Sequence, residues 1–257
     1  MAVFEFLGTC AADFSPRLQT DLKDKFDRDA RRSSAALIDG KYLIDCGVHT
    51  FDSLRIAGDD RKNVKYIFIT HLHRDHFNAQ NIALIAEGQK EPVKLFIRED
   101  AEIPYIPNVK LVRMKQFVTY DVDEKMKITG LAANHDEKTK PRHLLIEYGG
   151  KKLFYGPDGG WLINATFNYL WGAHLDMMVL DATCGDYEGD YRMAEHNSIP
   201  MIRLMLPSLR TTGCIDEHTA IYLSHLAPSL HKSHEETVKI AEPIGVTVAY
   251  DGFKTEF

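Results

Sequence analysis

With 257 residues, 44% of them hydrophobic, the chain is long enough to bury a large core, and its net charge of -6 without Lys or Arg runs excludes the basic footprint of a protein that wraps duplex nucleic acid. The four cysteines, Cys10, Cys46, Cys184 and Cys214, form no Cys-x-x-Cys pair, which argues against a zinc ribbon or disulfide framework and suits a reducing cytoplasm. No apolar run approaches the ~18 residues of a membrane span and no export signal is seen, so one soluble cytoplasmic domain over residues 1–257 is expected, with no membrane partner.

In chain order, residues 2–7 run apolar into Gly8-Thr9 and predict a first strand entering a loop. From Ser15 to Arg32 charges dominate, which predicts an exposed segment or short surface helix. Within it Arg31 and Arg32 have the forked shape to grip a phosphate, but in so charged a stretch they are read as solvated. Ala35–Ile38 and Tyr42–Ile44 flank Asp39-Gly40-Lys41, a hairpin signal because Asp-Gly supplies the positive φ of a tight turn. A helix is predicted over 49–56 and a strand over 65–69. Beyond His76, residues Phe77, Ile82, Leu84 and Ile85 have the periodicity of an amphipathic helix that Gly88 stops. Strands follow at 93–97 and within 109–131. A second hairpin, 143–148 and 152–155 about Gly149-Gly150, ends in Gly156-Pro157-Asp158-Gly159-Gly160. Residues 161–171 read as helix, 176–181 as a buried strand, 199–209 as a helix interrupted or kinked at Pro207, 220–223 as strand, 235–241 as helix and 246–250 as the closing strand. Trp161 and Trp171 are assigned to core packing. Hairpins with interspersed helices point to an α/β fold, a four-layer αββα sandwich of two mixed β-sheets.

The chemistry concentrates in Thr70-His71-Leu72-His73-Arg74-Asp75-His76, directly after the apolar run Tyr66-Ile67-Phe68-Ile69. Three imidazoles and a carboxylate where a buried strand gives way to a loop read as a metal-binding address rather than a solvated turn. His71 and His73, two apart, can point the same way off an extended segment, while Asp75 and His76 lie beyond the turn, so the spacing suggests two ions. His135, Asp158 and His225 also sit at predicted strand ends beside turn residues. If those strands share a sheet edge, His71, His73 and His135 serve one ion, Asp75, His76 and His225 the other, and Asp158 bridges. Imidazole and carboxylate ligands suit two divalent ions of zinc, manganese or iron, which would hold a bridging hydroxide against a carbonyl or phosphorus. No Gly-x-Ser-x-Gly elbow, Gly-x-x-x-x-Gly-Lys loop or Gly-x-Gly-x-x-Gly turn competes with that reading.

His71-x-His73-x-Asp75-His76 with His135, Asp158 and His225 resembles the metallo-β-lactamase superfamily over essentially the whole chain. More narrowly, Leu7-Gly8-Thr9-Cys10-Ala11-Ala12, Arg31-Arg32-Ser33-Ser34, Leu43-Ile44-Asp45-Cys46-Gly47 and Ala249-Tyr250-Asp251-Gly252 are similar to the branch containing the phosphodiesterases of phosphonate breakdown and, more distantly, the tRNA-processing ribonucleases. The resemblance implies the αββα fold and metal-dependent hydrolysis of a small, anionic phosphodiester. The chain departs from that branch in having glycine after Asp158, where a small hydroxylated residue is usual, and in lacking a cysteine cluster for a structural zinc. His196 stands where relatives keep a histidine that protonates the leaving oxygen, which makes Asp75 and His196 the catalytic candidates.

Asp181 is read equally as a group that orients a ligand histidine and as a turn cap, and Asp45 as a support near the sheet end. His231 or His234 would replace His225 if the alignment of Leu223-Ser224-His225 slipped, and Cys46 is read as a small buried residue. The alternatives are a lactone or thioester hydrolase on the same ions and a diiron redox protein. The second is disfavoured by His73, where a carboxylate would be expected, and by the lack of a flavin-binding segment. A scaffold with a dead site is disfavoured by the complete ligand set, and a homodimer is left open.

Overall fold

The structure, a computed structural model, describes residues 2–257. In chain order it contains β1 (Val3–Gly8), β2 (Ala35–Ile38), β3 (Tyr42–Ile44), α1 (Thr50–Ala57), β4 (Tyr66–Phe68), α2 (Ala79–Ala86), β5 (Val93–Arg98), β6 (Val109–Met114), β7 (Thr119–Asp121) and β8 (Met126–Ala132). There follow β9 (Arg142–Tyr148), β10 (Lys151–Gly156), α3 (Asn164–Leu170), β11 (Met177–Asp181), α4 (Ile199–Thr211), β12 (Ala220–Ser224), α5 (His234–Ala241), β13 (Thr247–Val248) and β14 (Phe253–Glu256). Two compact units result, one formed by the chain up to Lys115 with Tyr250–Glu256, the other by Gln116–Ala249 with Phe257. Among the described residues no helix is long and apolar enough to cross a membrane.

The first unit holds a seven-stranded mixed sheet in the order β14-β1-β2-β3-β4-β5-β6. The first three pairings are antiparallel and the last three parallel. Asp39 and Gly40, both at positive φ, make the tight β2–β3 turn that Asp-Gly predicts. One sheet face, through Leu37, Leu43, Ile67 and Leu95, packs on Leu54 of α1 and Ile82 and Ile85 of α2. The central strands β3 and β4 are apolar because both of their faces are buried.

Glu5, in the middle of β1, is only 3% exposed and pairs with Lys254 of β14 at 2.9 Å. Burial pushes its carboxyl up, the Lys254 hydrogen bond opposes this, and repulsion from Asp59 adds to it, leaving the pKa at about 7. A folded-state pKa above the ordinary 4.5 means that protonation favours the fold, so this contribution is full at low pH and lost as pH rises through about 7. Denaturant titrations from about pH 5 to about pH 8 should show stability falling, with a flatter profile in Glu5→Gln. An equally steep decline in the variant would assign the effect elsewhere.

The second unit also has seven strands, ordered β13-β12-β11-β10-β9-β8-β7, with three parallel pairings followed by three antiparallel ones. Its apolar layer joins Phe154, Met178, Leu180, Ile221 and Leu223 of the strands to Leu170 of α3, Ile202, Met205, Leu206 and Leu209 of α4, and Ala241 of α5.

Three sequence expectations need correction. Of the two expectations at Pro207, interruption is overturned: the helix continues to Thr211, because Ile202, Met205, Leu206 and Leu209 bury one face on both sides of the proline. The final predicted strand shrinks to Thr247–Val248, and the chain closes instead with β14, an edge strand whose backbone pairs with β1 although its side chains are mostly exposed or half-exposed. Trp161 and Trp171 are 44% and 62% exposed, so they are not core residues.

Candidate metal centre

Parallel pairing explains why the predicted residues emerge where they do. In the first unit β3 and β4 run in register, Ile44 beside Phe68, so Asp45 and Thr70 leave the same sheet edge. In the second unit β10, β11 and β12 run parallel, with Gly156 beside Leu180 and Asp181 beside Ser224. The loops bearing Asp158, Asp181 and His225 therefore leave one edge. β8 runs the same way as β10, being antiparallel to β9 as β10 is, and it delivers the loop bearing His135 to that edge as well. Carboxyl ends of parallel strands are the usual address of a site in an open α/β sheet.

In the first unit His71, Asp75 and His76 are buried and His73 is partly exposed. His71 Nε2 lies 3.0 Å from His73 Nδ1, and His76 Nε2 lies 3.4 Å from Asp75 Oδ2. Two atoms each ~2.1 Å from a common tetrahedral ion sit about 3.4 Å apart, so these separations suit donors sharing a cation. Asp45, fully buried and at positive φ, is the organiser: its Oδ2 lies 2.7 Å from His76 Nδ1, and its Oδ1 accepts from the Thr70 N–H at 2.8 Å and hydroxyl at 2.9 Å. A carboxylate on Nδ1 holds the proton there and leaves the Nε2 lone pair for a metal. Gly47 completes the seat, since a Cβ there would lie 1.9 Å from the Asp75 carbonyl oxygen. Asp45→Ala should lower metal affinity by roughly 10- to 100-fold in equilibrium dialysis, and unchanged affinity would remove Asp45 from the site.

In the second unit Asp158 Oδ2 lies 3.5 Å from His135 Nε2 and 3.5 Å from His225 Nε2. One carboxylate oxygen thus faces two imidazole donors, both at a separation that fits a shared ion. His225, at positive φ, is set by Thr183: the Thr183 hydroxyl donates to the His225 carbonyl at 2.8 Å and lies 2.7 Å from Nδ1. With its proton spent on the carbonyl, the hydroxyl accepts from Nδ1–H, which again frees Nε2.

Asp181 serves chiefly His196 and its own turn. Its Oδ2 lies 2.8 Å from His196 Nδ1 and accepts from Gly159 N–H at 2.9 Å, and its Oδ1 accepts from Thr183 N–H at 2.7 Å. Its nearest approach to the His225 ring is 4.0 Å, so Thr183, not Asp181, makes the close contact to that ring. His196 also lies 3.3 Å from Asp158 Oδ1. Burial works against its charged form, but the Asp181 carboxylate and hydrogen bonds to Asp158 and Asp181 outweigh that and raise its pKa to about 11. Asp158, Asp181, His196 and His225 together form a cluster whose ligand atoms lie within 4.8 Å of one another.

The remaining candidates separate cleanly. His231 Nε2 donates to the Ala182 carbonyl at 2.7 Å and His234 opens α5, so neither displaces His225 at Asp158. Cys46 is fully buried, as expected for a small packed residue, and all four cysteines are free and buried. Arg31 and Arg32 are not solvated: they are 4% and 1% exposed, and Arg31 Nη1 donates to Thr9 Oγ1 while Arg32 N–H donates to Asp251 Oδ2. Thr183 had no signal in the sequence beyond standing two residues after Asp181 at a strand end.

A family model described as the beta-lactamase superfamily domain matches residues 41–251. No match is found among curated protein sequences. Among solved structures, the metallo-beta-lactamase fold protein YhfI from Bacillus subtilis is 15% identical over 100% of this chain and 99% of its own, with a TM-score of 0.76. A diphosphatase from the PhnP family is 21% identical over 100% of this chain and 98% of its own, also at 0.76. Human tRNase Z, short form, is 19% identical over 100% and 99%, with a TM-score of 0.67. The chain therefore belongs to the beta-lactamase superfamily domain family and carries the metallo-β-lactamase fold, with His and Asp clusters suited to the divalent metal of a hydrolase.

Proposed function

We propose that this metal-dependent hydrolase binds two divalent ions of zinc, manganese or iron and cleaves a small, anionic phosphodiester. The observation that carries the two-ion reading is Asp158, whose single Oδ2 stands equally far from two imidazole nitrogens, as a bridging carboxylate would. In this reading the ligands are His71, His73, Asp75 and His76 of the first unit and His135, Asp158 and His225 of the second. Such a pair, when bound, would acidify a shared water and neutralise the charge developing on phosphorus. Asp45 and Thr183 keep His76 and His225 in the tautomer that donates Nε2. His196 is tethered through Nδ1 by Asp181 and is only partly exposed, a placement from which it donates the leaving-group proton. The phosphodiester preference is supported by the branch resemblance of the Arg31-Arg32-Ser33-Ser34 and Ala249-Tyr250-Asp251-Gly252 segments and by likeness to a diphosphatase. Four buried free cysteines suit a cytoplasmic setting.

Bis(p-nitrophenyl) phosphate offered to protein reconstituted separately with zinc, manganese and iron tests this reading. Metal-dependent release of p-nitrophenolate, lost in Asp75→Ala, is expected. Turnover confined to a lactone or thioester panel, with none of the diester cleaved, would replace the phosphodiesterase by a carbonyl hydrolase on the same ions.

A further inference from the structure

Asp158 sits in Gly156-Pro157-Asp158-Gly159-Gly160, a loop in which three of five residues are glycine. Glycine has the widest backbone freedom of any residue, so such a loop holds a side chain in place only where its surroundings fix the backbone. Polar clamps supply part of that restraint. Gly159 N–H donates to Asp181 Oδ2 at 2.9 Å, the Gly159 carbonyl accepts from Asn197 Nδ2 at 3.1 Å, and Gly160 N–H donates to the Asn134 carbonyl at 2.8 Å.

The other support is His143, which has no place in the ligand set. It stands on β9 across from Leu131 of β8, is only 1% exposed, and has its ring beside that of Phe154 of β10, with centroids 5.1 Å apart. Its imidazole meets the loop at two points. A Cβ added at Gly156 would lie 2.8 Å from His143 Nδ1, and one added at Gly159 would lie 2.8 Å from Cε1 and 3.2 Å from Nε2. Packed carbon atoms stay about 3.5–4.0 Å apart, so the ring fills the volume that side chains at both positions would need. Asp158 lies between these two glycines, and the imidazole therefore backs the segment that carries it. The glycine after Asp158, where a small hydroxylated residue is usual in the branch, has its physical reason here: residue 159 is at φ 146° and has His143 where its side chain would go.

We propose that His143 is the positioning residue of Asp158. Its ring, carried on a rigid strand, fixes the loop and so places Asp158 Oδ2 between His135 Nε2 and His225 Nε2, each 3.5 Å away. His143 acts through the loop and takes no part in the chemistry. The proposal rests on the reading of Asp158 as a metal ligand.

The test is cobalt(II) binding to metal-stripped protein, followed by absorption spectroscopy, in wild type, His143→Ala, Gly159→Ala and the double variant. His143→Ala leaves the loop without its floor and should bind cobalt about 10- to 100-fold more weakly, as when a support behind a ligand is lost, with altered d–d bands and an unchanged circular dichroism spectrum. Gly159→Ala drives a methyl group into the ring and should weaken binding from the loop side. Its cost should shrink several-fold in the His143→Ala background, because the clash is then gone and only the backbone strain remains. A folded His143→Ala with wild-type affinity and spectrum would overturn the proposal, and so would two costs that simply multiply. Should His143→Ala fail to fold, His143→Asn takes its place in the cycle, since it removes only the Cε1 and Nε2 end that faces Gly159, and the same two results decide. Wild type that takes up no cobalt would instead remove the ligand reading of Asp158, and the role of His143 with it.

Discussion

Asp158→Ala is expected to abolish metal-dependent turnover, by on the order of 10³-fold or more, and to lower the metal content of the purified protein. The argument is geometric. Asp158 Oδ2 faces both His135 Nε2 and His225 Nε2, each at 3.5 Å, so its loss removes a donor from both proposed ions at once. Losing several kcal/mol of transition-state charge stabilisation corresponds to that factor, since each 1.4 kcal/mol is tenfold. The fold should survive, because Asp158 lies beyond the end of β10 rather than within its hydrogen-bonded ladder. Metal analysis beside circular dichroism separates loss of the site from loss of the structure. A well-folded variant that kept two ions and its activity would end the bridging role.

The largest loss of stability is expected far from that cluster, in Asp251→Ala. Asp251 is buried, its Oδ2 accepts from Arg32 N–H at 2.6 Å, and its Oδ1 accepts from the Thr9 hydroxyl at 2.8 Å. Thr9 Oγ1 in turn accepts from Arg31 Nη1 at 2.7 Å. Burial pushes the Asp251 carboxyl up to about 6 although Arg31 and its hydrogen bonds pull it down, and burial also lowers the Arg31 pKa while Asp251 supports its charge. Removing the carboxylate leaves the buried Arg32 N–H and the Thr9 hydroxyl without their acceptor and takes away the charge that supports the buried Arg31 guanidinium. Orphaning two buried donors at about 1–3 kcal/mol each, beside an uncompensated buried charge, costs about 3–5 kcal/mol, which should appear as a lower urea midpoint. A cost under about 1 kcal/mol would mean that water reaches the cavity and replaces the carboxylate.

The strand ends were legible because residue type and local chemistry agree there. Asp39-Gly40 could hardly be anything but a turn, and the His71 to His76 motif follows an apolar strand whose loop has only one sheet edge to leave from. His135, Asp158 and His225 were named at strand ends, and those ends meet at one edge because β10, β11 and β12 run parallel and β8, like β10, is antiparallel to β9. Arg31 and Arg32 were misread because local charge density does not show which acceptors the fold brings to a guanidinium: the Thr9 hydroxyl takes Arg31, and the Leu22 and Lys23 carbonyls take Arg32. β14 went unseen for the same reason: its alternating side chains are ordinary surface residues, and only pairing with β1 makes the segment a strand. An interruption at Pro207 was expected because the local penalty was weighed without knowledge of the buried side chains that hold α4 together on both sides of it. Thr183 escaped notice since its role depends on a hydroxyl meeting His225, a contact across 42 residues.

The central claim is that the chain holds two divalent ions, and metal stoichiometry tests it most directly. Protein stripped of metal, dialysed against zinc, manganese or iron and analysed by mass spectrometry should retain two ions per chain, with fewer in Asp158→Ala. A chain that retained none, or wild type and Asp158→Ala with the same content, would contradict the account.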